Sequence, residues 1–129
     1  MTVATELRPQ IESANRQFMA AFKQGDVAAI AALYTEAGQL LPPNSDFVSG
    51  REAIRAFWGN VRSLGIADAR LETIEVEEHG DTAIEMGRFT LFAEDGSQLD
   101  GGKYLVIWKV EDGAVKLHRD IWTSSRPAA

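Results

Sequence analysis

The sequence contains no cysteine, so disulfides, thiolate metal sites and cysteine nucleophiles are excluded. It has two histidines. His79 stands beside Gly80-Asp81 in a turn, far from His118, and the pair lacks ligand spacing, so no metal is expected. Lysine and arginine total 13 against 19 aspartate and glutamate, a net charge of −6. The basic residues are scattered, which argues against the phosphate-neutralising surface that nucleic acid requires. No apolar run approaches a membrane span. The first residues, Met1-Thr-Val-Ala-Thr-Glu-Leu-Arg8, lack the basic and apolar regions of a signal peptide, so a cytoplasmic location is expected. Gly25, Gly50 and Gly113 read as turn and cap residues, and no glycine-rich phosphate cradle exists. Internal repeats, linkers and low-complexity segments are absent as well.

What is present fits one soluble domain. The chain has 129 residues, 45% hydrophobic and 25% charged, enough for a core without staples. One domain over 1–129 is expected, with 124–129 a loose tail. Leu7, Ile11, Ala14, Phe18 and Phe22 recur at helical spacing. Gly25 stops that helix, and Asp26 caps a second one running through Ile30, Leu33 and Tyr34. Gln39–Asp46, with its Pro pair, reads as a loop with a short strand at Gln39–Leu41. Ser49-Gly-Arg-Glu52 has the form of a capping box. It opens a third helix with Ile54, Phe57, Trp58 and Val61 on its buried stripe.

After Gly65 the period changes to that of strands, at Ala69–Glu78, Thr82–Phe92, Leu99–Val110 and Ala114–Thr123, joined by tight turns. Three helices followed by a long antiparallel meander give an α+β layout with the helices on one face of the sheet. Tyr104-Leu-Val-Ile-Trp108 is apolar on both faces, and a strand of that kind needs a cover on each. The helices supply one cover, and a second subunit packed on the sheet is expected to supply the other. In the last strand Val115, Leu117, Arg119 and Ile121 alternate with Lys116, His118, Asp120 and Trp122. A His, an Asp and a Trp on one face read either as a pocket wall or as a solvated surface.

Four blocks carry a family resemblance: Gly25-Asp-Val-Ala-Ala-Ile-Ala-Ala-Leu-Tyr34, Ser49-Gly-Arg-Glu-Ala-Ile-Arg-Ala-Phe-Trp58, Gly102-Lys-Tyr-Leu-Val-Ile-Trp-Lys109 and Leu117-His-Arg-Asp-Ile-Trp122. They resemble the NTF2-like superfamily, in its SnoaL-like and DUF4440 branch, often labelled ketosteroid-isomerase-like. The resemblance covers nearly the whole chain. It implies a cone-shaped fold, three N-terminal helices packed on a curved antiparallel sheet around an apolar pocket, and a homodimer. It does not give an activity, because this fold hosts many. Ketosteroid isomerases use an Asp base and an oxyanion hole of a Tyr and a protonated Asp. By the resemblance these positions fall on Pro42, Phe18 and Leu105, none of which exchanges a proton. A steroid isomerase of that mechanism is therefore not expected.

The resemblance also assigns a pocket. Phe18, Tyr34, Trp58, Phe89, Leu105 and Trp122 would form its walls, with Glu85, Lys103, His118 and Asp120 as polar groups. Val115, Leu117 and Ile121 would turn toward a partner. Asp120 and His118 are the catalytic candidates, with Tyr34 or Lys103 stabilising developing charge. The competing reading makes them a satisfied buried network. The expected ligand is a small, largely apolar organic molecule. Any chemistry would be cofactor-independent isomerisation, dehydration or hydrolysis. A non-catalytic binder or an association module is the alternative.

Overall fold

The computed structural model describes residues 7–126. Helix α1 (Leu7–Gln24) is followed by α2 (Val27–Ala32), strands β1 (Tyr34–Leu41) and β2 (Val48–Ser49), and helix α3 (Arg51–Ser63). Strands β3 (Asp68–His79), β4 (Thr82–Phe92), β5 (Gln98–Glu111) and β6 (Ala114–Ser124) complete the chain. The architecture is α+β, with the helices on one face of a curved, open six-stranded sheet ordered β2-β1-β6-β5-β4-β3. All pairings are antiparallel except β1 with β6.

The helices form where the apolar spacing predicts. Leu7, Ile11, Ala14, Phe18 and Phe22 are all buried along α1. The N–H of Ala29 donates to the Asp26 carboxylate, capping α2. Gly25 takes a positive φ of 74° between the two helices, where glycine pays no steric cost. Three local readings need correction. Tyr34 opens β1 instead of closing α2, so the expected short strand begins well before Gln39. Ser49 does not cap α3: Gly50 is the cap residue with no side-chain bond, and the Ser49 hydroxyl accepts from Gln39 Nε2 instead. Ser124 belongs to β6, and Ser125 still donates its N–H to Gly101. The rest of the expected tail, residues 127–129, lies outside the described residues, as do residues 1–6.

Bulges bend the sheet and decide which side chains face inward. Between β3 and β4 the register shifts at Thr73/Glu75, leaving Ile74 without a partner. Leu71 and Val76, an odd number of positions apart, therefore both pack on the core. Between β5 and β6, Ile107 pairs with Arg119 but Trp108 pairs with Leu117, so His118 is the extra residue. One extra residue inverts the alternation. Val115 and Leu117 are buried with Asp120, not turned toward a partner, while Ile121 is exposed.

Candidate functional site

A cavity of about 210 Å³ lies between α1, α3 and the concave face of the sheet. Its walls are largely aromatic: Phe18 and Phe22 from α1, Phe57 and Trp58 from α3, Phe89 from β4 and Trp122 from β6. Trp58 is the hub. It stacks on Trp122 at 5.4 Å between ring centres and meets Phe18 edge-on at the same distance. Such pairs are worth about 0.5–1.5 kcal/mol beyond the area they bury, which makes this wall stiff. Leu71, Leu91 and Val106 fill the sheet side, and Pro42, Pro43 and Ser45 reach it from the β1–β2 loop. Polar groups on the lining are few: Asn15, Ser45, Tyr104 and Asp120.

Asp120 is 7% exposed. Its inward aim follows from pairing opposite Val106 of β5. Tyr34, fully buried at the start of β1, donates its hydroxyl to Asp120 Oδ2 at 2.6 Å. Burial pushes the Asp120 carboxyl up to about 7; the Tyr34 donation opposes that rise and the charge of Glu85 adds to it. Desolvation thus outweighs one good hydrogen bond. Burial, then the Asp120 charge and hydrogen bond, raises Tyr34 well above the usual phenol range. The indole of Trp58 acts on Tyr34 in the opposite sense, yet Trp58 Nε1 is buried and makes no hydrogen bond. Asp120 is thereby a carboxyl poised between its two protonation states near neutral pH, on the wall of an apolar cavity.

A second carboxylate lies behind the same wall. Glu85 is 0% exposed. Its Oε2 accepts from Asn15 Nδ2 (2.9 Å), Thr73 Oγ1 (2.8 Å) and Tyr104 Oη (2.6 Å), and its Oε1 from Trp108 Nε1 (3.0 Å). Four donors compensate for the loss of water around the buried carboxylate. Gly87 allows the arrangement, since a Cβ there would meet Tyr104 Oη at 2.4 Å.

The residues singled out by sequence divide into three groups. Phe18, Trp58, Phe89, Asp120 and Trp122 line the cavity. Tyr34 and Glu85 stand behind the lining, each bonded to a group that faces it. Lys103, Leu105 and His118 do not face it. On β5 the buried positions are Tyr104, Val106 and Trp108, so strand alternation turns Lys103 and Leu105 outward. Lys103 instead reaches the Ser124 carbonyl at 3.4 Å. His118 occupies the β6 bulge and its Nδ1 lies 2.8 Å from Thr35 Oγ1. Its basicity is lowered, first by partial burial and then by Arg119. Tyr104, Val106 and Asn15 were missed. Tyr104 shares a face with Trp108 by simple alternation, and Asn15 interrupts the apolar stripe of α1, which is a signal for a buried polar contact. Among the described residues no three His, Asp or Glu side chains converge as metal ligands would. No described helix is long and apolar enough to cross a membrane.

A profile of the family described as SnoaL-like domain matches residues 15–118. No curated protein matches the sequence. Solved structures of similar fold include an NTF2-like protein with a cystatin-like fold from Novosphingobium aromaticivorans. It is 19% identical with a TM-score of 0.83, over 95% of this chain and 84% of that one. A ketosteroid isomerase-like protein from Erwinia carotovora atroseptica is 22% identical with a TM-score of 0.78, over 95% and 99%. A domain of unknown function from Nostoc punctiforme is 17% identical with a TM-score of 0.82, over 97% and 81%. At these identities the likeness is one of fold.

Proposed function

The chain belongs to the SnoaL-like domain family, and we propose that it binds a small, largely apolar ring compound and moves a proton on it with Asp120. One observation carries this reading: Asp120 is the acid of an otherwise mostly aromatic cavity, and burial holds its carboxyl near neutrality. A carboxyl of that strength takes or gives a proton at neutral pH with a small driving-force penalty. The cavity is smaller than those that hold drug-sized ligands, which suits a molecule of one or two rings. Cofactor-independent isomerisation, dehydration or hydrolysis are the reactions within reach. The steroid isomerase arrangement is not among them, because Phe18 and Pro42 on the wall carry no transferable proton.

The test uses a panel of small cyclic ketones and phenols, read twice. Thermal stabilisation reports binding, and exchange of α-protons with D2O, followed by NMR, reports proton transfer. Asp120→Asn should keep the stabilisation and lose the exchange. Stabilisation without exchange in the wild type would instead favour a non-catalytic binder.

We further propose that a second copy covers the outer face of the sheet. Met86, Leu105 and Ile121 are cross-strand neighbours on β4, β5 and β6, and they are 43%, 42% and 45% exposed. A row of three large apolar side chains is more than the scattered exposure of an ordinary surface.

A further inference from the structure

Glu85, Val106 and Asp120 occupy one row across the sheet. Glu85 of β4 pairs with Val106 of β5, and Val106 pairs with Asp120 of β6. Each carboxylate accepts a 2.6 Å hydrogen bond from a tyrosine, Tyr104 for Glu85 and Tyr34 for Asp120. There the likeness ends. Glu85 has four donors spread over both oxygens, whereas the bond recorded for Asp120 engages Oδ2 alone. Asn15 and Trp108 can only donate through the atoms they use, so the donor set around Glu85 suits an acceptor-only, ionised carboxylate.

We propose that Glu85 is a positioning residue for Asp120: a fixed negative charge, held by four donors and facing Asp120 across Val106, that adds to burial in favouring the protonated form of Asp120 in the free protein. Two strand spacings put the two groups about 10 Å apart. Over that distance, through buried side chains, a unit charge is screened far less than in water. Among the described residues no other carboxylate lines the cavity beside Asp120. Tyr34 from β1 and Tyr104 from β5 are neutral phenols. The helices above it present Phe18, Phe22 and Trp58. His118 on its own strand is bonded to Thr35. Arg51 of α3 binds the main-chain carbonyl of Tyr34 and the Glu111 carboxylate. The buried charge of Glu85 thus has a function: it adds to burial in weakening the acid that lines the cavity. This inference rests on Asp120 being the proton-transfer group, but it makes its own prediction about titration.

The experiment is an NMR titration of carboxyl carbons in protein labelled at Asp and Glu. In Glu85→Gln the Asp120 midpoint should fall by about one pH unit, the size expected for a unit charge about 10 Å away at an effective dielectric of about 20. Glu85→Asp, which keeps the charge, should hold the midpoint near the wild-type value. An unchanged midpoint in folded Glu85→Gln overturns the proposal. Should Glu85→Gln fail to fold, the reciprocal arm decides. The Glu85 resonance of the wild type should step as Asp120 ionises, and Asp120→Asn should remove the step. A Glu85 resonance that is flat through the Asp120 transition overturns the proposal. The outcomes separate the two readings: a shifted midpoint with no proton transfer on any compound leaves the tuning standing and sinks the catalytic role. Proton transfer that needs Asp120, with no shift in Glu85→Gln, does the reverse.

Discussion

The hydroxyl of Tyr34 donates to Asp120 across 86 residues of sequence at 2.6 Å, and it is the interaction that restores part of the acid strength lost to burial. Removing it has a sign that can be stated in advance. In Tyr34→Phe the Asp120 midpoint should rise above about 7. The variant should also lose about 1.5–3 kcal/mol of stability above that pH, where the bond is to a charged group, and less below it. Carboxyl NMR and urea unfolding at two pH values check both halves. A midpoint that falls would show that Tyr34 is not the donor that matters.

Asp120 also predicts how stability depends on pH. Its carboxyl moves from 3.8 in the unfolded chain to about 7 in the folded one. Between those values the folded state binds more protons, so the contribution is full below about 4 and lost as pH rises through about 7. The swing is at most about 4 kcal/mol. His118, whose basicity is lowered, works the other way, because the folded state resists its protonation. Comparing wild type with Asp120→Asn cancels the histidine. The stability of the wild type relative to Asp120→Asn should fall between pH 4.5 and about 7 and level off above it, and a constant difference would contradict the assignment.

Much of this was legible before any coordinates. The α1 stripe and the turn at Gly113 follow from period and turn chemistry, and the inward aim of Glu85 and Phe89 from the family resemblance. The errors cluster where a bulge or a one-residue offset intervenes. Nothing in Leu117-His-Arg-Asp120 announces that His118 will be skipped in the pairing, because a bulge answers to sheet curvature and not to local propensity. The outward turn of Lys103 and Leu105 was legible in principle. Tyr104, Val106 and Trp108 are the larger apolar set of β5, and weighing them against Leu105 and Ile107 would have found the buried face. The four-donor shell of Glu85 joins α1, β3, β4 and β5, and no sequence window contains it.

Two glycines test how tightly the wall is built. A Cβ at Gly102 would lie 2.1 Å from the Thr123 carbonyl oxygen and 2.8 Å from the Phe89 ring. One at Gly87 would meet the Glu72 carbonyl and the end of Tyr104, each at 2.4 Å. Both Gly→Ala changes should destabilise by about 1–3 kcal/mol, as overpacking does. Gly102→Ala should shift the Phe89 ring. Gly87→Ala should weaken the Tyr104–Glu85 bond and alter tyrosine absorbance. Denaturation that matches wild type in both would mean the sheet relaxes freely there.

The apolar row on the outer face predicts an oligomeric change. If a second copy covers Met86, Leu105 and Ile121, then Leu105→Lys places like charges at a symmetric contact and buries them without partners. Sedimentation at micromolar concentration should show a dimer for the wild type and a monomer for the variant, with α-proton exchange retained per folded chain. A monomeric wild type would remove the dimer and leave the row as exposed surface.

Filling the cavity separates ligand binding from fold integrity. Ala69 is buried on β3 and lines the cavity between Leu71 and Ile66. Its substitution by leucine adds three carbons that grow into about 210 Å³ of space, so little overpacking strain is expected. Each buried methylene contributes about 0.8 kcal/mol, and the variant should be as stable as the wild type or more so. Binding of the ring compounds should weaken at least tenfold, because the side chain occupies the volume they need. The Asp120 midpoint should also rise, since a drier wall penalises its charged form further. A variant that is stable and still binds ring compounds at wild-type affinity would place their site elsewhere on the molecule, and the proposed role of Asp120 would fall with it.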